Sequence, residues 1–102
     1  LLPELWEMRA HLGVDDETFK RVVALAKERG LGVILPGDLF LSSKLRDALW
    51  RTLAEMGETP VATVRDRLGL SRKYVMPMLE HLDSLGITRR VQDKRVLLKK
   101  PG

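Results

Sequence analysis

The sequence predicts an α+β chain, mainly helical, built from two tandem copies of one small module. Three observations carry that expectation. First, the 102-residue chain aligns with itself at an offset of 56: Arg9 falls on Arg65, Leu12-Gly13-Val14 on Leu68-Gly69-Leu70, Phe19 on Val75, Val22-Val23 on Met78-Leu79, Ala26 on Leu82 and Gly30-Leu31 on Gly86-Ile87. Continued without a gap, the same frame sets Phe40-Leu41 on Val96-Leu97. Second, in each copy an apolar stripe at helical spacing stops at a glycine and gives way to two short β-prone runs around a turn. Third, 44% apolar and 31% charged residues describe an ordinary folded chain, rich enough in apolar side chains to build a core.

The elements follow in order. Pro3 to Leu12 reads as a short helix closed by Gly13. Asp15 can cap the next helix, which runs to about Arg29 with Phe19, Val22, Val23 and Ala26 inward. Leu31 to Leu35 and Leu39 to Leu41 flank Pro36-Gly37-Asp38, a strong turn signal. Ser42 or Ser43 caps a longer helix in which Leu45, Leu49, Leu53 and Met56 share a face, and Gly57 ends it. Thr59-Pro60 reads as an N-cap followed by Pro at the first helical position. The short helix after it puts Val61, Val64 and Leu68 on one side, and Gly69 closes it. Ser71 caps a third helix with Val75, Met78, Leu79, Leu82 and Leu85 in its stripe, stopped by Gly86. Ile87 to Val91 and Arg95 to Leu98 flank Gln92-Asp93-Lys94, a hairpin turn.

Helix, short helix, turn, third helix and β-hairpin make a helix-turn-helix with an appended wing. The expected domains are thus two winged helices. Residues 1–42 form one that lacks its N-terminal helix, and residues 43–102 form a complete one. No Pro/Gly/Ser-rich linker separates them, which predicts a fairly rigid tandem. The sequence does not start with Met and is expected to be a piece of a longer protein.

Composition narrows the function. There is no cysteine, hence no disulfide framework and no cysteine metal site, which fits a reducing, cytoplasmic setting. No apolar run is long enough to span a membrane, and no phosphate-binding glycine loop occurs. His11 and His81 stand alone on helices without ligand spacing; Trp6 and Trp50 are expected in packing; Glu55, Asp66 and Glu80 read as solvated helix faces. The segment is therefore expected to be a binding module and not an enzyme, with no metal and no cofactor.

The charge is uneven. Residues 1–40 hold 5 Lys/Arg and 7 Asp/Glu, net −2; residues 41–102 hold 13 and 7, net +6. Within the repeat frame Asp15-Asp16-Glu17 becomes Ser71-Arg72-Lys73. Cations in the first turn of a helix oppose its dipole, so the fold itself does not ask for Arg-Lys there, whereas a phosphate backbone does. The second wing adds Arg89, Arg90, Lys94 and Arg95, with Lys99 and Lys100 just beyond, against Val33, Ile34, Asp38 and Leu39 in copy one. The outer face of the third helix past Tyr74 carries Met76, Pro77, Glu80, His81 and Ser84. That face lacks the Arg, Lys, Asn or Gln with which a helix laid along a major groove reads bases. A basic tip with a hydroxyl and an aromatic ring suits the end of an RNA hairpin, where bases splay out and stack. Tyr74 is either that stacking platform or a residue packed on the wing.

These residues resemble a known family. Leu68-Gly69-Leu70-Ser71-Arg72-Lys73-Tyr74, then Pro77-x-Leu79-Glu80-x-Leu82-Asp83, then Gly86-x-Thr88-Arg89-Arg90-Val91-x-Asp93-Lys94-Arg95-Val96 resemble the C-terminal winged-helix region of the bacterial selenocysteine-specific elongation factors, closely over residues 58–98. Gln92 stands where that family usually has Gly. The resemblance implies four tandem winged helices behind a translation GTPase, with this chain holding the third and fourth. It implies that the last binds the selenocysteine-insertion hairpin in mRNA and tethers the factor, with its selenocysteyl-tRNA, to the ribosome at UGA codons. GTP and tRNA would bind domains outside this chain, and a monomer with no membrane partner is expected. RNA contacts are then expected at Ser71, Arg72, Lys73 and Tyr74 on the tip and at Arg89, Arg90, Lys94 and Arg95 on the wing. The alternative from the residues alone is a winged-helix DNA-binding transcription regulator; an acidic protein partner for the basic patch is a further one.

Overall fold

The computed structural model describes residues 4–101, which fall into two compact units divided between residues 46 and 47. Each unit sets its helices against one small antiparallel sheet, the arrangement of a winged helix. Among the described residues no helix is long and apolar enough to cross a membrane, and no group of His, Asp or Glu is placed to hold a metal ion.

Unit 1 opens with strand β1 (Leu5–Glu7), followed by helix α1 (Met8–Leu12), helix α2 (Asp16–Glu28) and strands β2 (Gly32–Leu35) and β3 (Leu39–Ser42). β3 lies in the middle of the sheet, paired with β1 on one edge and β2 on the other. The helix predicted from Pro3 is therefore wrong at its start: Leu5 to Glu7 are extended and pair with Leu41 to Leu39, while Pro3 lies outside the described residues. Leu5 and Trp6 fit a strand as well as a helix, and the free edge of β3 decides between them. α2 follows the prediction. Asp15 is its N-cap and accepts from the Thr18 N–H at 2.8 Å, and Phe19 and Ala26 are buried with Met8 and Phe40. Trp6, Leu12, Val22, Val23 and Ile34 pack around that cluster.

Helix α3 (Ser43–Met56) begins at a double serine. Ser42 is the cap, its Oγ accepting from the Leu45 N–H at 2.9 Å and donating to the Glu4 carboxylate. Ser43 instead donates to Gly30 O at 2.9 Å.

Unit 2 continues with β4 (Thr59–Pro60), α4 (Val61–Leu68), α5 (Arg72–Ser84), β5 (Thr88–Val91) and β6 (Lys94–Leu97). Thr59-Pro60 corrects the reading as N-cap and first helical residue. The pair is a two-residue strand facing Arg95 and Lys94, and Pro60 itself, extended at ψ 148°, is the N-cap of α4. Pro suits that edge because it has no N–H to offer a ladder. Leu49, Leu53, Val61, Val64, Val75, Met78, Leu79, Leu82 and Ile87 form the core. Leu85, predicted inward, is 43% exposed: it caps α5, and the chain turns away through Gly86 at φ +72°. α5 runs unbroken through Pro77.

The two units are the same module with two length changes, so the gapless repeat needs correcting. The short helices end alike, on Gly13 and Gly69, but α4 is three residues longer than α1 at its start. The first wing turns through three residues, Pro36 to Asp38, and the second through two, Gln92 and Asp93. Beyond the turn the true offset is 55. Ile34 pairs with Phe40 as Arg90 pairs with Arg95, so Arg95 occupies the place of Phe40, and Lys94 that of Leu39.

That substitution reorganises its surroundings. In unit 1, Gly32 lies beside Phe40, and a Cβ there would overlap Leu41 O and stand 2.6 Å from the ring. Unit 2 has Thr88 at the matching position, with room for a side chain. Its hydroxyl donates to Asp83 Oδ1 at 2.6 Å, and Asp83 also holds the Arg95 guanidinium. An aromatic beside a glycine has become a threonine, an aspartate and an arginine.

Candidate nucleic-acid interface

The tip of α5 is built by its connection to α4. Gly69 takes the left-handed conformation (φ +67°) and its N–H closes on Arg65 O at 3.0 Å. Leu70 links it to Ser71, whose extended backbone starts α5 and whose C=O accepts from the Tyr74 and Val75 N–H groups. Ser71 is the N-cap by position, but its hydroxyl makes no capping hydrogen bond. The cap thus supplies no side-chain acceptor to the first turn of α5, in contrast to α2, where the Asp15 carboxylate accepts from an N–H. Hydrogen bonding from Thr18 holds the Asp15 carboxyl below its ordinary value. One helix start is capped by its own anion and the other carries cations.

Ser71, Arg72 and Lys73 are exposed on that tip. Lys73 Nζ lies 5.3 Å from the centroid of the half-buried Tyr74 ring, a cation–π contact that orients the ammonium over the ring. On the wing, Arg89 and Arg90 are exposed and project from opposite faces of β5. Arg90 Nε donates to Gln92 O at 2.8 Å, so this side chain braces the turn. Lys94 Nζ is 3.5 Å from Glu58 Oε1, a surface ion pair.

Arg95 departs from the expectation. Its side chain is 1% exposed; Nε lies 3.2 and 3.1 Å from the two Asp83 oxygens and Nη2 3.0 Å from Oδ2. Among the described residues Nη1 and Nη2 are both buried with no hydrogen-bond partner, Nη2 meeting Asp83 as an ion pair only. A guanidinium enclosed in the sheet–helix layer is committed to structure, and Arg95 is withdrawn from the interface. The signal that finds it is the registered repeat, which puts Arg95 on the buried Phe40; the gapless frame hid this by one residue.

The remaining single residues have structural places. Trp50 Nε1 donates to Lys99 O at 2.8 Å. The Trp6 ring lies 5.6 Å from that of His11, whose Nδ1 is 2.9 Å from Glu7 O.

A family model described as elongation factor SelB, winged helix, and named for its third winged helix, matches residues 51–97. A crystal structure of the bacterial selenocysteine-specific elongation factor EF-Sec superposes on 93% of the chain with a TM-score of 0.78 at 30% identity. In sequence and fold the chain is similar to the winged helices of SelB. Its curated SelB relative, the selenocysteine-specific elongation factor of Escherichia coli, is 26% identical over 88 residues, which are 82% of this chain and 14% of the relative. The chain likewise spans 16% of the EF-Sec protein. The mRNA-binding domain of E. coli SelB, solved in complex with SECIS RNA, matches 92% of the chain and 84% of its own length, with a TM-score of 0.73 at 28% identity.

Proposed function

We propose that unit 2 binds an RNA hairpin through the tip of α5 and the wing. In a longer factor, that grip would tether a translation GTPase and its selenocysteyl-tRNA to the ribosome at UGA codons, in the cytoplasm. The carrying observation is the charge reversal on a fixed backbone: Asp15-Asp16-Glu17 opens α2, and Ser71-Arg72-Lys73 opens α5. The contacts proposed are Ser71, Arg72, Lys73, Tyr74, Arg89, Arg90 and Lys94. The SelB domain solved with SECIS RNA supports the choice of ligand. The outer face of α5 supports RNA over duplex DNA, since Glu80 and Ser84 are its exposed side chains past the tip and offer no cation to a groove. This role is binding, not catalysis.

The test is hairpin binding by the chain with Arg72 and Lys73 both changed to alanine. The variant should fold and bind more weakly, and its log–log salt dependence should flatten by roughly one unit for each lost phosphate contact. Unchanged binding by the double variant overturns the assignment of the tip. Preferential retention of duplex DNA at physiological salt favours the transcription-regulator reading instead.

A further inference from the structure

Arg65 belongs to neither tip nor wing, yet its counterpart in unit 1 has a defined partner. Arg9 Nη1 lies 2.6 Å from Asp16 Oδ1 and Arg9 Nε 2.9 Å from Asp38 Oδ2. The segment that joins Arg9 to Asp16 matches the one that joins Arg65 to Arg72 at its glycine and at its helix start. Gly13 and Gly69 sit at φ/ψ 60°/28° and 67°/26°, each closing its N–H on the arginine's carbonyl, Arg9 O or Arg65 O. Asp15 and Ser71 sit at −71°/169° and −76°/159°, each starting a helix of 13 residues. Arg9 and Asp16, seven residues apart, meet as an ion pair. Arg65 and Arg72, also seven apart on matching backbone, are both cations.

The second acid is also out of place. Asp93 is the counterpart of Asp38: each C=O accepts from the first N–H of the short helix, Met8 in unit 1 and Val61 in unit 2. α4 carries an extra turn between that anchor and Arg65, which at 1.5 Å per residue moves the arginine about 4.5 Å further along the helix. The acid that Arg65 does touch is its neighbour Asp66, 3.4 Å from Nε, with both side chains largely exposed. The Arg72 side chain makes no hydrogen bond or ion pair among the described residues.

We propose that Arg65 and Arg72 together clamp one phosphate of the bound RNA, which takes the place that the Asp16 carboxylate holds in unit 1. Guanidinium groups donate in a planar fork that matches a phosphate's oxygens, and a tetrahedral phosphate accepts from two forks at once. The clamp rests on the RNA-binding reading of unit 2 and adds to it a residue from α4.

Two measurements test it separately. In the absence of RNA, Arg72→Asp should raise the thermal midpoint of unit 2, because it recreates the unit 1 ion pair, and adding Arg65→Ala should cancel the gain. A gain that survives the loss of Arg65 overturns the juxtaposition. With a selenocysteine-insertion hairpin as probe, Arg65→Ala and Arg72→Ala should each weaken binding by about tenfold or more, as for a charge-assisted hydrogen bond. The double variant should bind little worse than either single one, because one phosphate is lost only once. Wild-type affinity in Arg65→Ala, or losses that multiply in the double variant, overturns the shared phosphate. If the unmodified chain binds no hairpin while the Arg65-dependent midpoint shift is present, the RNA reading has failed, and the clamp with it, although the two arginines do face each other.

Discussion

The guanidinium of Arg95 reaches from β6 to the carboxylate of Asp83 near the end of α5, with Nη2 3.0 Å from Oδ2. The arginine is 1% exposed and the aspartate 26%, so the pair ties the wing to α5 from within. Removing one member of a buried pair leaves the other charge unpaired, which costs more than the pair is worth. Asp83→Ala should therefore destabilise the chain by about 3 kcal/mol in urea unfolding. Replacing both residues, as Asp83→Ala with Arg95→Met, should recover part of that loss. A double variant no more stable than Asp83→Ala would show that the pair itself, and not the stranded charge, carries the effect.

Gly32 gives a complementary prediction. A methyl group there overlaps Leu41 O and the Phe40 ring, which lies 2.6 Å away at Cζ and 2.8 Å at Cε1. Gly32→Ala should cost about 3 kcal/mol, at the upper end for overpacking, because the obstacle includes backbone. Thr88→Ala, at the matching place in unit 2, should cost about 1 kcal/mol by loss of a single hydrogen bond to Asp83. Equal losses in the two variants would mean that the wings are packed alike.

The cap of α2 makes unit 1 sensitive to acid. The Asp15 carboxyl titrates lower in the folded state than in the unfolded chain, chiefly through its hydrogen bonds from Thr18. Its contribution is thus fully present above the unfolded value and is lost as pH falls through the folded one. Asp15→Ala should lower the thermal midpoint at neutral pH, and the gap from wild type should close below the ordinary carboxylate range. A gap that is independent of pH would assign the effect to helix propensity.

Gln92 sits at φ +59°, in the left-handed region, at the turn of the second wing. An ordinary side chain there is strained by about 1 kcal/mol. Gln92→Gly should relieve that strain, less the entropy of about 0.4–1 kcal/mol that glycine adds to the unfolded chain, for a net gain of at most about 0.5 kcal/mol. Hairpin affinity should be unchanged, since the Arg90 contact uses the backbone oxygen of residue 92.

Much of this molecule was legible in the sequence, for reasons that differ by element. The third helices, their caps and their stops were readable because Phe19, Ala26, Val75, Met78, Leu79 and Leu82 recur at helical spacing between polar caps and glycines. The strands β1 and β4 were not. Three residues and two residues carry no period, and both are extended because a neighbouring strand offers them partners. The exposed tip Ser71-Arg72-Lys73 was visible as a charge reversal within the repeat. Arg95 was misread because a basic residue among basic residues looks solvated. Its burial depends on Asp83, twelve residues away, and on a turn one residue shorter than its counterpart.

The two wings are not interchangeable. A chain of repeats emerging during synthesis offers each hairpin two similar helices to fold against, and cross-assembly between repeats is a common route to misfolding. Here the wrong choice is marked. The second wing laid on α2 would bring the buried guanidinium of Arg95 to Lys27, which stands where α5 has Asp83. The first wing laid on α5 would leave the Asp83 carboxylate against the Phe40 ring, without threonine or arginine. Each wing thus carries a key that only its own helix accepts, and repeats alike in outline keep their pieces apart.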